Sequence, residues 1–150
     1  MSHSRKVLPS FYFLVTAATT AGLHFLAPIG MLLHPPITDL GALLIAIGLG
    51  VLVWAAATFA RVGTPIKPFE ESTHLVTSGM YRVTRNPMYL GMVVVLLGIA
   101  VLFGTISPFI PILLFVWLIQ TNIIRFEEAA LERTFGDEYK EYKQKVRRWL

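Results

Sequence analysis

With 150 residues and no cysteine, the chain has the length of one domain and excludes a disulfide framework, a thiolate nucleophile and a cysteine-based zinc site. Its 55% hydrophobic content, 15% charged content and mean hydropathy of +0.63 lie far from the soluble average and predict a membrane protein. A net charge of +4 is weak evidence for a nucleic-acid partner, and none is expected.

Taken in order, the polar stub at residues 1–6 ends in Arg5-Lys6. A first apolar span runs over residues 8–33, long enough to cross a bilayer, with His24 its one ionisable group. His24, alone among apolar neighbours, reads as an interhelical hydrogen-bonding residue. The basic start and the alanines near Thr16 resemble a signal peptide. The apolar run continues past any cleavage site there, so a retained helix is expected. After a turn at 34–39 comes a second span over 40–60, whose Gly41, Gly48 and Gly50 allow close helix packing. Residues 61–72 read as a surface loop with Pro65, Pro68 and the acidic pair Glu70-Glu71.

A third span over 88–104 and a fourth over 108–124 are each short, which predicts a closely paired hairpin. Beyond it, Phe135, Tyr139, Tyr142, Val146 and Trp149 recur at helical spacing, interrupted at Gly136, with lysines and arginines between them. That pattern predicts a basic amphipathic helix lying on an anionic membrane surface. The fold class is therefore all-α: an integral membrane protein of four transmembrane helices forming a single domain over residues 1–150.

All 13 Lys and Arg fall in the stub, in residues 61–85 or beyond residue 124. The turns at 34–39 and 104–108 carry none. Four crossings put the three basic segments on one side, which the positive-inside rule makes cytoplasmic, together with both chain ends. The third span then begins at Asn86-Pro87 on the face to which the fourth returns at Arg125-Phe-Glu-Glu128. The two clusters become neighbours if the hairpin forms.

Asn86 and Pro87 read as N-cap and first-turn residue of the third helix. Free backbone N–H groups, the positive helix end, Arg82 and Arg85 would hold an anion there. With Glu127 and Glu128 alongside, the pocket suits a zwitterion. S-adenosylmethionine fits, its carboxylate toward the arginines and its cations toward the glutamates; a phospholipid headgroup fits equally. No Gly-rich strand-to-helix turn is present, which excludes a soluble Rossmann-type methyltransferase. No metal ligand set is expected.

The run His74-x-Val76-x-x-Gly79-x-Tyr81-x-x-x-Arg85-Asn86-Pro87-x-Tyr89-x-Gly91, a hydrophobic hairpin, then Glu127-Glu128-x-x-Leu131-x-x-x-Phe135-Gly136-x-Glu138-Tyr139-x-x-Tyr142 resembles the isoprenylcysteine carboxyl methyltransferase family. That family is in turn similar to the membrane phospholipid N-methyltransferases. The match covers residues 74–148. It implies a membrane enzyme that binds S-adenosylmethionine between its last helices and cytoplasmic segments, and takes a lipophilic acceptor from the bilayer. It implies cofactor contacts at His74, Gly79, Tyr81, Arg85, Asn86, Pro87, Tyr89, Gly91 and Glu128. Where the family has Arg-His-Pro, this chain has Arg85-Asn86-Pro87, and Asn cannot titrate near neutral pH.

Methyl transfer from a sulfonium needs an aligned nucleophile and exclusion of water more than acid–base machinery. A carboxylate or thiol acceptor on a lipophilic or small molecule is the leading expectation, with phospholipid amine methylation as the alternative. An amine must lose a proton first, which Glu127 or Glu128 could take. Arg125 either grips an anion in the site or pairs with Glu128 or Glu132 as a surface bridge. From another class, a scaffold or small transporter competes. No carboxylate lies within any span, which counts against transport.

Overall fold

The computed structural model describes residues 8–63 and 74–150, so most of the predicted loop with Glu70-Glu71 lies outside the described residues. The described residues are helical and form no sheet, only two isolated bridges. Helix α1 (Pro9–Leu26) begins on a proline, whose fixed φ suits a first turn. It ends before the predicted limit of residue 33. Pro28 disfavours helical backbone at Ala27, and Gly30 takes a φ of +42°, so the chain from 27 to 36 leaves the helix.

A short 3₁₀ turn (Ile37–Asp39) leads into α2 (Leu40–Val62), and Gly63 at φ +71° closes it. With the turn, this helix runs 26 residues, roughly 39 Å at 1.5 Å per residue. It is long and apolar enough to cross a membrane. The same holds for the continuous helix Ser107–Phe135, while the apolar α3 (Pro87–Phe103) is shorter. Large apolar side chains on the outer faces stand open, among them Val53 (69% exposed), Leu113 (74%) and Trp117 (60%). Such faces suit lipid rather than water.

The long helix has three parts: α4 (Ile110–Ile119), a π-helical turn (Gln120–Ile124), and α5 (Arg125–Phe135). A π turn inserts one residue and rotates the rest of the helix by roughly 100°. The break at Gly136, with φ +53°, separates α5 from α6 (Asp137–Lys145), as the interruption in the periodicity predicts.

The packing departs from a close α3–α4 hairpin. Helix α3 lies chiefly against α2, while α4 leans on α1 and touches α3 more lightly. Two glycine pairs explain this. A Cβ at Gly41 would stand 2.5 Å from the Gly98 carbonyl oxygen, and one at Gly48 would stand 2.8 Å from that of Gly91. Each pair lies seven residues from the other on both helices, so one face of each helix meets bare backbone twice. Gly50 does not take part; nothing lies within 4 Å of its would-be Cβ. A core of Leu96, Ala100, Ile112, Phe115, Ile119 and Ile124 fills the space between α3 and α4.

At the far end of α3 the chain is tied by neutral groups. Gly104 O accepts from Leu32 N at 2.7 Å and Leu33 N at 3.0 Å, and Ile106 N donates to Ile29 O at 3.0 Å. His24 Nδ1 shares a hydrogen bond with Thr105 Oγ1 at 3.0 Å, and its ring stacks on Phe103. The hydrogen bond expected between helices thus runs from α1 to the turn after α3, and only the stacking on Phe103 joins two helices. Ser107 Oγ donates to Leu23 O at 3.3 Å.

Candidate functional site: a buried charge cluster at the head of the third helix

Pro87 stands at the first position of α3, as predicted, and Thr84, three residues before it, pairs with Arg147 in an isolated parallel bridge. Asn86 occupies the N-cap position, but its side chain does not cap. Thr84 Oγ1 accepts from Asn86 N at 3.2 Å, and Asn86 Nδ2 donates instead to Arg148 O at 2.9 Å. The amide is drawn away by a carbonyl from the other end of the chain.

The two charged clusters do meet. Arg85 Nη2 lies 3.3 Å from Glu128 Oε1, and both side chains are 9% exposed. Arg148 grips the same carboxylate with two bonds, Nε to Oε1 at 3.0 Å and Nη2 to Oε2 at 2.6 Å. This fork-on-fork geometry is the strongest form of charge-assisted hydrogen bond. Among the described residues, Arg85 Nε and Nη1 are buried with no hydrogen-bond partner. Native proteins rarely leave such donors unmet, so they mark a place for an acceptor.

Glu127 sits beside this cluster in the more polar continuation of the helix, beyond the fourth apolar run that ends at residue 124. Tyr89 OH donates to its Oε1 at 2.8 Å. Burial pushes the Glu127 carboxyl above the usual range; the Tyr89 hydrogen bond opposes this and the Glu128 charge adds to it. Tyr81, in a 3₁₀ turn (Gly79–Arg82), is buried and its O accepts from Tyr142 OH at 2.6 Å. Burial pushes Tyr139 up to about 12, with the Glu128 charge adding and the Arg85 and Arg148 guanidiniums opposing. The apolar side of α6 is thus used inside the protein. Tyr139 and Tyr142 pack with Ala55, Val76 and Tyr81. Trp149 lies past the helix, donating from Nε1 to Gln120 Oε1 at 2.9 Å.

Of the residues singled out from sequence, Arg85, Asn86, Pro87, Tyr89, Glu127 and Glu128 converge, and Tyr81 lies against Tyr142 on the same side. Gly79 adopts φ +59°, and a Cβ there would meet Thr58 Oγ1 at 3.2 Å. Gly91 faces α2, where a Cβ would meet Leu52 and the Gly48 carbonyl. His74 and Arg125 are exposed. Arg125 is not the partner of either glutamate suggested for it: Glu128 is held by Arg85 and Arg148, and Glu132 by Lys143 at 3.2 Å.

Sequence pattern alone does not single out Arg148 or Thr84. The periodicity places Arg148 among five basic residues of a membrane anchor, on a helix continuing to Trp149. The helix ends at Lys145, and Val146 turns extended (φ −123°, ψ 132°), which sends Arg148 inward. Thr84, wholly buried, binds Arg148 O from Oγ1 at 3.1 Å.

Comparison with known proteins supplies the family. A Haemophilus influenzae uncharacterized protein is 43% identical over 63 residues, which is 42% of this chain and all of that protein. A probable protein-S-isoprenylcysteine O-methyltransferase of Oryza sativa subsp. indica is 30% identical over 112 residues, 73% of this chain and 59% of the rice protein. The Schizosaccharomyces pombe protein-S-isoprenylcysteine O-methyltransferase is 38% identical over 72 residues, 48% of this chain and 30% of the yeast one. The chain thus spans three-fifths or less of the length of these methyltransferases. Residues 37–138, about two-thirds of the chain and including α2, α3, the π turn and Glu127-Glu128, match the phospholipid methyltransferase family, and the chain belongs to that family.

Proposed function

We propose that the protein is an integral membrane methyltransferase that uses S-adenosylmethionine and methylates a carboxylate on a lipophilic acceptor. The observation that carries this is the buried Arg85–Glu128 cluster with two Arg85 nitrogens unmet among the described residues. Those donors fit the carboxylate of an amino-acid ligand, and Glu128 fits its cationic part. When bound, S-adenosylmethionine supplies a methyl group on a sulfonium. The names of the rice and yeast relatives favour a carboxylate acceptor, for which no base is needed.

The chain's own residues divide the work. Arg85 binds and orients the ligand's anionic end, held in place by Glu128. Tyr89 fixes Glu127 through Oε1, leaving Oε2 able to accept a proton. Tyr81, Tyr139 and Tyr142 close the side facing α2 and exclude water. On this reading α1, α2, α3 and α4 cross the membrane, with residues 74–85 and the region beyond residue 124 on the cytoplasmic side, a reading supported by the basic residues there. On this reading the basic α6 lies at the membrane surface with its lysines outward.

A second reading, amine methylation as in the phospholipid methyltransferases, is favoured by one observation. Glu127 is a half-buried carboxylate with a raised proton affinity, as a base acting on an ammonium requires.

Isothermal calorimetry of S-adenosylmethionine binding to the detergent-purified protein tests the assignment. Saturable binding is expected, weakened about 10- to 100-fold by Arg85→Ala and by Glu128→Gln, the range for charge-assisted hydrogen bonds. Absence of binding to folded wild-type protein would overturn it.

A further inference from the structure

The proposed site leaves one built feature without a role: the strap formed by residues 146–150. It returns across the head of α3 and is tied there by main chain. Arg85 N donates to Arg147 O at 2.9 Å, and Thr84 and Asn86 side chains both donate to Arg148 O. Thr84 and Arg147 form a parallel bridge, and Trp149 is pinned to Gln120. All of these bonds are neutral. They set the strap in place without explaining why it carries a guanidinium into the cluster.

That guanidinium takes both oxygens of Glu128. It is also the cluster's accessible cation: the Arg148 side chain is 31% exposed, those of Arg85 and Glu128 only 9%. With Glu127, Glu128, Arg85 and Arg148 ionised, the cluster is neutral. Take Arg148 away and one negative charge is in excess, deeply buried and facing the side from which Arg148 entered. A buried carboxylate stripped of a partner is costly, so an empty site needs a substitute cation.

The geometry points to Arg148 as that substitute: an internal cation that occupies Glu128 when no ligand is bound and that a cation-bearing ligand must displace. This rests on the proposed reading that Glu128 receives the ligand's cationic group. Arg148 is then the specificity-determining residue of the site. It admits ligands able to replace its charge at Glu128 and lowers their apparent affinity by the fraction of time it holds the carboxylate. The main-chain bonds to Thr84, Asn86 and Arg85 keep the strap close, so the guanidinium returns when the ligand leaves.

The test compares ligand-free stability with ligand affinity, which a purely structural residue would move in the same direction. Thermal unfolding in detergent and calorimetric titration with S-adenosylmethionine are run on wild type, Arg148→Gln and Arg148→Lys. Arg148→Gln is expected to melt earlier without ligand and to bind S-adenosylmethionine about tenfold tighter. Arg148→Lys keeps the charge but loses the fork, and is expected to fall between the two in both measurements. It serves as the test if the Gln variant does not fold. Wild-type binding with unchanged or weaker affinity in both variants overturns the displacement. Failure of wild type and variants alike to bind overturns the cofactor reading and this inference with it, and the wild-type titration separates that result from the previous one.

Discussion

The two ends of α3 are both knotted to distant segments, and they are knotted differently. At the Gly104 end, backbone amides, a threonine, a serine and His24 satisfy one another with neutral hydrogen bonds. At the Pro87 end, two carboxylates and two guanidiniums are packed together, and Arg85 keeps two buried nitrogens without a partner among the described residues. Physical chemistry treats the two cases differently. A satisfied neutral knot holds a turn closed, and nothing in it asks for a ligand. A charged, incompletely satisfied cluster costs stability unless something else uses it.

The contrast can be broken most severely by Glu128→Ala. It strands Arg85 in a buried position and is expected to destabilise the protein by about 3–5 kcal/mol, read by denaturant unfolding in detergent. A loss under about 1 kcal/mol would mean that water reaches the cluster and the contrast is false. Between the ends, Gly98→Val forces side-chain atoms against the Gly41 carbonyl, 2.7 Å from the would-be Cβ, and is expected to cost about 1–3 kcal/mol by the same assay. At the neutral end, Thr105→Val removes the His24 hydrogen bond and is expected to cost about 1 kcal/mol while leaving S-adenosylmethionine affinity unchanged. Weakened ligand binding in that variant would show that the two ends are coupled.

The smallest effect concerns pH. Glu127 has its carboxyl raised by burial, so the stability it contributes is present below the unfolded value of about 4.3 and is lost as pH rises through its higher folded value. Glu127→Gln removes that loss. Its melting temperature relative to wild type is expected to improve by a few degrees, about 2–4 °C, between pH 4.5 and pH 8. A difference that stays flat with pH would remove Glu127 from the buried part of the cluster.

Much of this architecture is legible in the residues. Pro87 marks the start of α3 because a proline has no amide to lose at a first turn. The distribution of basic residues along the chain is enough to bring Arg85 and Glu128 to one end. Other parts cannot be read, for specific reasons. Gly48 is recognisable as a packing residue, but only the register between α2 and α3 reveals that it meets Gly91, and that Gly41 meets Gly98. Asn86 has the chemistry of an N-cap; a carbonyl sixty-two residues away outcompetes the local amides for it. Arg148 follows a helical periodicity that stops at Val146, and one extended residue turns a surface-facing position toward the charge cluster. Local propensity describes what a residue does along its own helix, whereas this cluster is made by returning chain.

The glycine pairs also have a mechanical consequence. Helices that touch through side chains can slide by exchanging rotamers, but α2 and α3 touch at Gly41–Gly98 and Gly48–Gly91 through backbone, which has no rotamers to exchange. The pair therefore behaves as a rigid plate, with the head of α3 fixed to its edge. Motion that lets a molecule in or out of the charge cluster must come from the parts that lean on that plate: the strap, α6, or the lighter contact between α3 and α4.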